Sequence, residues 1–321
     1  MKDDMKEDQQ EPLYHHHRKA TAFARQKFTK PTAYFFILLL LSYILGYFSA
    51  PSGRSSPCSP TQLMSSDNAA AAGGGLDDHY RFATRCSNDP VPSNLVRQML
   101  LDRLFDGVSP YDNFPPAHVS PFLREKRIKG WDSYNSVFET LIRRVRPKVI
   151  IEVGTFLGAS ATHMAELASG LGLGTQIICI DDFRGQPWGR HHQEVVEEEG
   201  DIPMINGDLL LMYQFMQNVV HENATESVLF LPFSSWITLD VLCRWGVFAD
   251  LIEVDAGHDF HSAWVDINLA YKLLRPGGVL FGHDYFLPLD NKGVKRAVDL
   301  FARVNGLRVQ IDGEHWVIDS S

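Results

Sequence analysis

Apolar positions fall into three regimes along the chain. Residues 33–50 (AYFFILLLLSYILGYFSA) are 18 consecutive residues without a charge, and as a helix rising 1.5 Å per residue they would extend roughly 27 Å, close to the hydrocarbon core of a bilayer. That run predicts a single membrane-spanning anchor. Residues 51–90 then lose nearly all bulky apolar side chains in favour of Ser, Pro, Ala and Gly, so they cannot repay the entropy of ordering and read as a flexible stem. From residue 91 onward the pattern becomes periodic. Leu95, Val96, Met99, Leu100, Leu104 and Phe105 recur at helical spacing behind a capping Ser93, and Val137, Phe138, Leu141, Ile142 and Val145 do so behind Asp132 or Ser133.

After Lys148 the period shortens. Runs rich in β-branched residues at 149–153 (VIIEV), 176–180 (QIICI), 227–233 (SVLFLPF), 250–255 (DLIEVD) and 278–283 (GVLFGH) alternate with helical stretches. Continuous apolar strands separated by helices predict an α/β fold with a doubly wound, mostly parallel sheet buried on both faces. Two more strands, at 307–312 and 315–319, follow a helix around Val294 to Val304 and are joined through Asp312-Gly313, which predicts a terminal hairpin. Residues 91–321 are thus expected to form one globular domain, behind a tail at 1–32, the anchor and the stem.

In such sheets ligands bind beyond the carboxyl ends of the strands, and here those ends are chemically loaded. The first strand closes on Glu152-Val-Gly154-Thr-Phe-Leu-Gly158-Ala-Ser160, the second on Asp181-Asp182, the fourth on Asp255-Ala-Gly-His258 and the fifth on His283-Asp284-Tyr285. Glycines at a strand-to-helix turn let backbone approach a ligand, and the helix start offers free N–H groups. The spacing differs from the GxGxxG of dinucleotide sites, which disfavours pyrophosphate. Asp181 is placed to read ribose hydroxyls. Asp255, His258 and Asp284 suit removal of a proton, because histidine titrates near neutrality. Asp259 and His261 read instead as the cap of the helix that follows.

The run VIIEVGTFLGASATHMAELA, together with IDDFRG, DLIEVDAGHDFHSAWVDINLAYKLLRPGGVLFGHDYF and the upstream Lys129-Gly130-Trp131, resembles the class I S-adenosylmethionine-dependent O-methyltransferases, of the catechol, caffeoyl-CoA and macrocin types. The resemblance covers roughly residues 127–319 and implies a Rossmann-like sheet of seven strands in the order 3-2-1-4-5-7-6. It implies that Glu152, Gly154, Gly158 and Ser160 line the methionine and ribose side of S-adenosylmethionine. Asp181 would take the ribose hydroxyls, and Ser234 and Ser235 would lie near adenine. In the catechol type an acid after the fourth strand and an adjacent pair after the fifth bind a divalent cation, which maps to Asp255, His283 and Asp284, and the base three residues on maps to His258. The chain departs from that pattern in offering His283-Asp284 where the family has an Asp-Asn pair, and an imidazole there favours Mn²⁺ or Zn²⁺ over Mg²⁺.

Charge and cysteines complete the expectation. The net charge of −9 argues against nucleic acid as a partner. It divides into +2 for residues 1–32, with seven basic and five acidic residues, and −11 for the remainder. Arg18, Lys19, Arg25, Lys27 and Lys30 precede the apolar run, and Arg54 is the one Lys or Arg among the thirty residues after it, so the positive-inside rule keeps the N-terminus cytosolic and the domain lumenal. A cleaved signal peptide is the competing reading. Tail, anchor, stem and lumenal domain together match the layout of Golgi-resident modifying enzymes, with a glycan or another small polyol or phenol as acceptor. In that compartment Cys58 and Cys86 could pair, Cys179 and Cys243 read as buried thiols, and Asn223-Ala224-Thr225 is a glycosylation sequon. Two alternatives remain at this point: a Golgi-type glycosyltransferase holding metal through Glu253-Val-Asp255, and a non-catalytic scaffold. The Arg190-His191-His192 and Glu197-Glu198-Glu199 stretch reads as a solvated segment or lid, and the oligomeric state is not legible.

Overall fold

The apolar runs become strands where expected. In the computed structural model the described residues are Cys86, 89–184, 204–205 and 207–320. Strand β1 is Val149–Val153, β2 Gln176–Ile180, β5 Val228–Leu231, β6 Ala249–Val254 and β7 Leu274–Gly282, and all pair in parallel. Every residue of β1, β2 and β5 is buried, as a sheet covered by helices on both faces requires. The terminal hairpin forms as well: β8, Val309–Asp312, and β9, His315–Asp319, pair antiparallel with Gly313 at the turn, and β9 adds antiparallel to β7.

Numbered in chain order over all nine strands, the seven-stranded sheet reads β5-β2-β1-β6-β7-β9-β8; counted over its own strands alone it runs 3-2-1-4-5-7-6. The difference in numbering comes from two short strands that the apolar pattern did not signal. These are β3, Met204–Ile205, and β4, Asp208–Leu209, an antiparallel pair outside the main sheet that intervenes between β2 and β5.

Seven α-helices of the described residues flank this framework: α1 Val96–Leu104, α2 Ser136–Val145, α3 Ala159–Gly170, α4 Leu210–His221, α5 Ser235–Arg244, α6 Phe260–Lys272 and α7 Leu289–Asn305. Helix α6 packs on both α5 and α7, while α2 packs on α3. With right-handed crossovers the two sets cover opposite faces of the sheet. Two expected caps are corrected. Ser93 lies inside a leading 3₁₀ turn, Ser93–Leu95, and makes no capping bond, and Asn135 rather than Asp132 or Ser133 caps α2 by accepting from Val137 N. Asp259 does cap α6, accepting from the backbone N–H groups of His261 and Ser262.

The cysteine expectation is also corrected. Cys86 bonds to Cys243 with 2.06 Å between the sulfurs, because the segment before α1 runs back along the end of α5, where Val91 N donates to Gly246 O at 2.8 Å. Cys179 is the buried free thiol expected. The tail, the apolar run 33–50, Cys58, the stem up to Arg85 and the 190–199 stretch lie outside the described residues. Among the described residues no helix is long and apolar enough to cross a membrane.

Candidate active site

The strand order reverses at β1, which pairs with β2 on one side and β6 on the other. Crevices at such a switch point are where doubly wound sheets hold ligands. The turns after β1 and β6 touch there. Asp255 N donates to Val153 O at 2.8 Å, and a Cβ on Gly154 would stand 2.0 Å from Asp255 O. Gly154 therefore has two requirements, a φ of +89° and room for another backbone. Gly158, with φ +81°, begins α3 against the ring of Phe215.

The acids of this turn face inward. Glu152 is wholly buried and accepts from Thr155 Oγ1, from Ser160 Oγ and from Cys179 Sγ, the last at 3.2 Å. Burial raises its pKa against those three donors. Its register partner across the strands, Glu253, is also buried, and its Oε2 has no partner. Burial, and then the charges of Glu152 and Asp255, push Glu253 well up. Enclosed on both faces of the sheet, Glu253 presents no open carboxylate beside Asp255, which the Glu253-Val-Asp255 pairing of a nucleotide-sugar site would need.

Asp181 holds the turn together. One carboxylate oxygen accepts from Thr155 N and Phe156 N at 3.1 and 2.9 Å, and the other from Phe183 N at 2.7 Å. Burial raises its pKa, opposed by those amides. Three acceptances leave the carboxylate room for about one more donor. Beside it the half-buried Phe156 meets the exposed ring of Trp131, with centroids 5.8 Å apart. Ser234 and Ser235 are differently engaged. Ser234 O accepts from Thr238, and Ser235 Oγ donates to Asp266 Oδ1 at 2.6 Å. Burial raises Asp266 to about 6, against the Ser235 hydrogen bond. The first bond lies within the first turn of α5 and the second ties α5 to α6, and neither reaches the β1 or β2 turns.

The turns after β6 and β7 bring Asp255, His258 and Asp284 together. His258 Nε2 lies 3.0 Å from Asp284 Oδ2 and 3.4 Å from Asp255 Oδ1. Burial works to lower the imidazole pKa, but hydrogen bonds and charge from the two carboxylates outweigh it and raise it to about 10. Asp284 responds in the opposite sense. Burial raises it, yet the bonds from His258 and His283 hold it well below the ordinary carboxylate range. At neutral pH the trio is therefore an imidazolium between two carboxylates. Its ligand atoms all lie within 4.8 Å of one another, so two carboxylate oxygens and one imidazole nitrogen also fit a divalent cation.

His283 is not part of that trio. Its Nδ1 is 3.3 Å from Asp284 Oδ1, but its Nε2 is buried without a partner, and its ring centroid is 4.7 Å from that of His315. The expected ligand set Asp255, His283 and Asp284 is thus regrouped, with His258 taking the place of His283. The reason is geometric: Asp284 lies beyond the strand at φ +61° and turns toward His258, while the ring of His283 packs against that of His315. Sequence reasoning missed Asp132 and His315 as neighbours of His283, since nothing along the chain links positions so far apart. A void of about 10 Å³, large enough for at most one water, lies among His258, His283 and Trp316. A larger cavity of about 260 Å³ opens at the β5 edge between Phe105, Phe114, Tyr213 and Phe230. It contains none of the expected site residues.

The profile of a family described as methyltransferase domain matches residues 151–285, the stretch that runs from the β1 turn to Tyr285. No curated protein sequence matches the chain. Among solved structures, an O-methyltransferase from Bacillus cereus bound to SAH is 17% identical, with 70% of this chain and 96% of that one covered and a TM-score of 0.42. TomG, an O-methyltransferase from Streptomyces achromogenes bound to SAM, is 15% identical, covering 70% and 96%, with a TM-score of 0.39. A TDP-rhamnose 3′-O-methyltransferase of calicheamicin biosynthesis is 14% identical, covering 73% and 89%, with a TM-score of 0.40.

Proposed function

We propose that this chain transfers the methyl group of S-adenosylmethionine to a hydroxyl oxygen, and that His258 receives the hydroxyl proton. The observation that carries this reading is the Asp255, His258 and Asp284 trio at the carboxyl ends of β6 and β7, beside the Gly154 turn of β1. In the reaction the acceptor oxygen bonds to the methyl carbon as its bond to sulfur breaks. S-adenosylhomocysteine leaves, and the acceptor proton passes to the imidazole. The glycine turn and Asp181 would hold the sulfonium donor, with one carboxylate site left for a ribose hydroxyl.

A positioned base must be able to take a proton, and His258 at about 10 already holds one at neutral pH. Its two carboxylate partners therefore have to be neutralised before it can act. A divalent cation held by Asp255 and Asp284, Mn²⁺ or Mg²⁺, would neutralise them and acidify a hydroxyl beside it. Exposed Trp131 against Phe156 offers a face for the ring of an acceptor, which supports a glycan or other small polyol or phenol. The Cys86–Cys243 disulfide supports an oxidising compartment, in keeping with a lumenal, Golgi-type type II layout. The exposed Asn223, one residue beyond the C-cap of α4, would be reachable for glycosylation there.

Calorimetric titration of the full-length chain with S-adenosylhomocysteine tests the cofactor, and transfer of labelled methyl into fractionated cell extracts tests the reaction. Binding that Asp181→Ala weakens and His258→Ala spares is expected, with label entering an alkali-stable ether. No heat with either S-adenosylmethionine or S-adenosylhomocysteine would refute the cofactor, and label found on nitrogen would refute the acceptor class.

A further inference from the structure

A second group of ligand-type side chains lies on the other side of Asp284. Asp132 precedes α2, His283 follows β7 and His315 begins β9, and their ligand atoms all lie within 4.8 Å of one another. Both histidines are more than nine-tenths buried. His283 Nε2 and His315 Nδ1 are each enclosed and without a hydrogen-bond partner, although their rings are only 4.7 Å apart between centroids. A buried polar atom left unsatisfied lowers stability, and two side by side call for something that accepts both lone pairs at once. A hydrogen bond between the rings does not supply it, since neither nitrogen has one. A cation does.

We infer that Asp132, His283 and His315 form a binding site for a transition-metal ion of the Zn²⁺ class, distinct from the Asp255, His258 and Asp284 trio. Two imidazole nitrogens and one carboxylate oxygen are the donor set that such ions prefer, while Mg²⁺ and Ca²⁺ prefer oxygen. The tautomers agree with ligation. His283 Nδ1 faces Asp284 Oδ1 at 3.3 Å, so a proton on Nδ1 leaves Nε2 bare, and a metal-bound histidine characteristically donates its other N–H to a carboxylate. A tetrahedral ion with ligands about 2.1 Å away keeps its donors about 3.4 Å apart. His315 Nδ1 and Asp132 Oδ2 already stand 3.6 Å apart. That same Asp132 oxygen accepts from Asn135 Nδ2 at 2.9 Å, which orients it without using all its lone pairs. The ion would tie the segment before α2 to the ends of β7 and β9, and through His283 would fix the carboxylate of Asp284.

The test is zinc stoichiometry and affinity of the full-length chain, stripped with chelator and reloaded with Zn²⁺, in a variant whose first trio is disabled by Asp255→Asn with His258→Gln. One equivalent of bound Zn²⁺ is expected in that background, together with a rise in thermal midpoint on loading. Adding His315→Gln should weaken Zn²⁺ binding by more than the roughly 10–100-fold typical of a lost outer-shell partner. Asp132→Asn, at a side chain 42% exposed and so tolerant of change, should do the same if the His315 variant fails to fold. Loss of all Zn²⁺ from the background variant while its circular dichroism is unchanged would overturn the site. So would unaltered Zn²⁺ affinity after Asp132→Asn. Neither result bears on methyl transfer, so this site and the proposed reaction stand or fall separately.

Discussion

Two trios share the corner at His283 and Asp284, and they are built from the same residue types in inverse proportion. Asp255, His258 and Asp284 place one imidazole between two carboxylates, with side chains about a fifth to a quarter exposed. Asp132, His283 and His315 place two imidazoles with one carboxylate, and the imidazoles are enclosed. In the first, carboxylate charge overcomes burial and raises His258 to about 10. In the second, burial lowers His315 against the pull of Asp132. The difference shows that a histidine's charge in this fold is decided by the carboxylates facing it and by its access to water, not by its proximity to a strand end.

Substituting Asp284 tests the comparison most severely, because its two oxygens serve one histidine of each trio. Asp284→Asn is expected to reduce methyl transfer by about 10⁴-fold, the upper end of what positioned acid–base groups supply, and to bring His258 down toward the ordinary histidine range. Kinetics and an NMR titration of the imidazole would read both effects, and an unmoved His258 would show that Asp255 alone sets its charge. His258→Gln should cost less, about 10²–10³-fold in turnover, with S-adenosylhomocysteine affinity unchanged by calorimetry. A shared loss of affinity and turnover would make His258 a structural residue of the cofactor crevice.

The pH dependence of stability offers a third, smaller contrast. Because His258 is raised from 6.5 to about 10, its ion pairs contribute fully below pH 6.5, and the contribution is lost as pH rises through about 10. Asp284 is depressed, so its contribution is present above the usual carboxylate pKa of about 4 and fades as pH falls below it. The share of stability that these ion pairs supply, read as the difference in thermal midpoint between wild type and His258→Gln, should therefore be constant between about pH 4 and 6.5 and decline toward pH 10. His258→Gln should flatten the alkaline decline, and an identical decline in both proteins would deny the ion pairs.

Glu253→Gln provides the mildest contrast, a buried group whose pKa is moved chiefly by burial. The folded acid keeps a proton that the unfolded chain releases above pH 4.5. Wild-type stability should thus fall with rising pH by about 1.4 kcal/mol per unit over that window. The amide should remove that slope in chemical denaturation without lowering stability near pH 4.

The parallel strands were legible from sequence because burial on both faces leaves a continuous apolar run with no need of tertiary context. VIIEV and QIICI became β1 and β2 with their ends unchanged. The short β3 and β4 pair escaped notice, since two-residue strands carry no period. Asp255, His258 and Asp284 were legible as chemistry, each lying within four residues of a strand end. Their grouping was not, because the orientation of a side chain after a strand depends on the turn that follows, and Asp284 sits at φ +61°. Ser235 was expected near a nucleobase, and its hydroxyl bonds Asp266, a contact between helices that spacing along one of them does not reveal.

What the amino-acid order determined by itself is local: strands, helices, the glycine turn of β1 and the acids at strand ends follow from hydrophobic period and backbone conformation within a few residues. What only the tertiary structure decided is pairing at a distance. Cys86 met Cys243 across 157 positions, His315 met His283, and His258 displaced His283 between two carboxylates, because packing brings those elements together after the local pattern is spent. A side chain's charge and partners depend on what faces it in three dimensions, and the chain records that only in how its apolar faces close on one another.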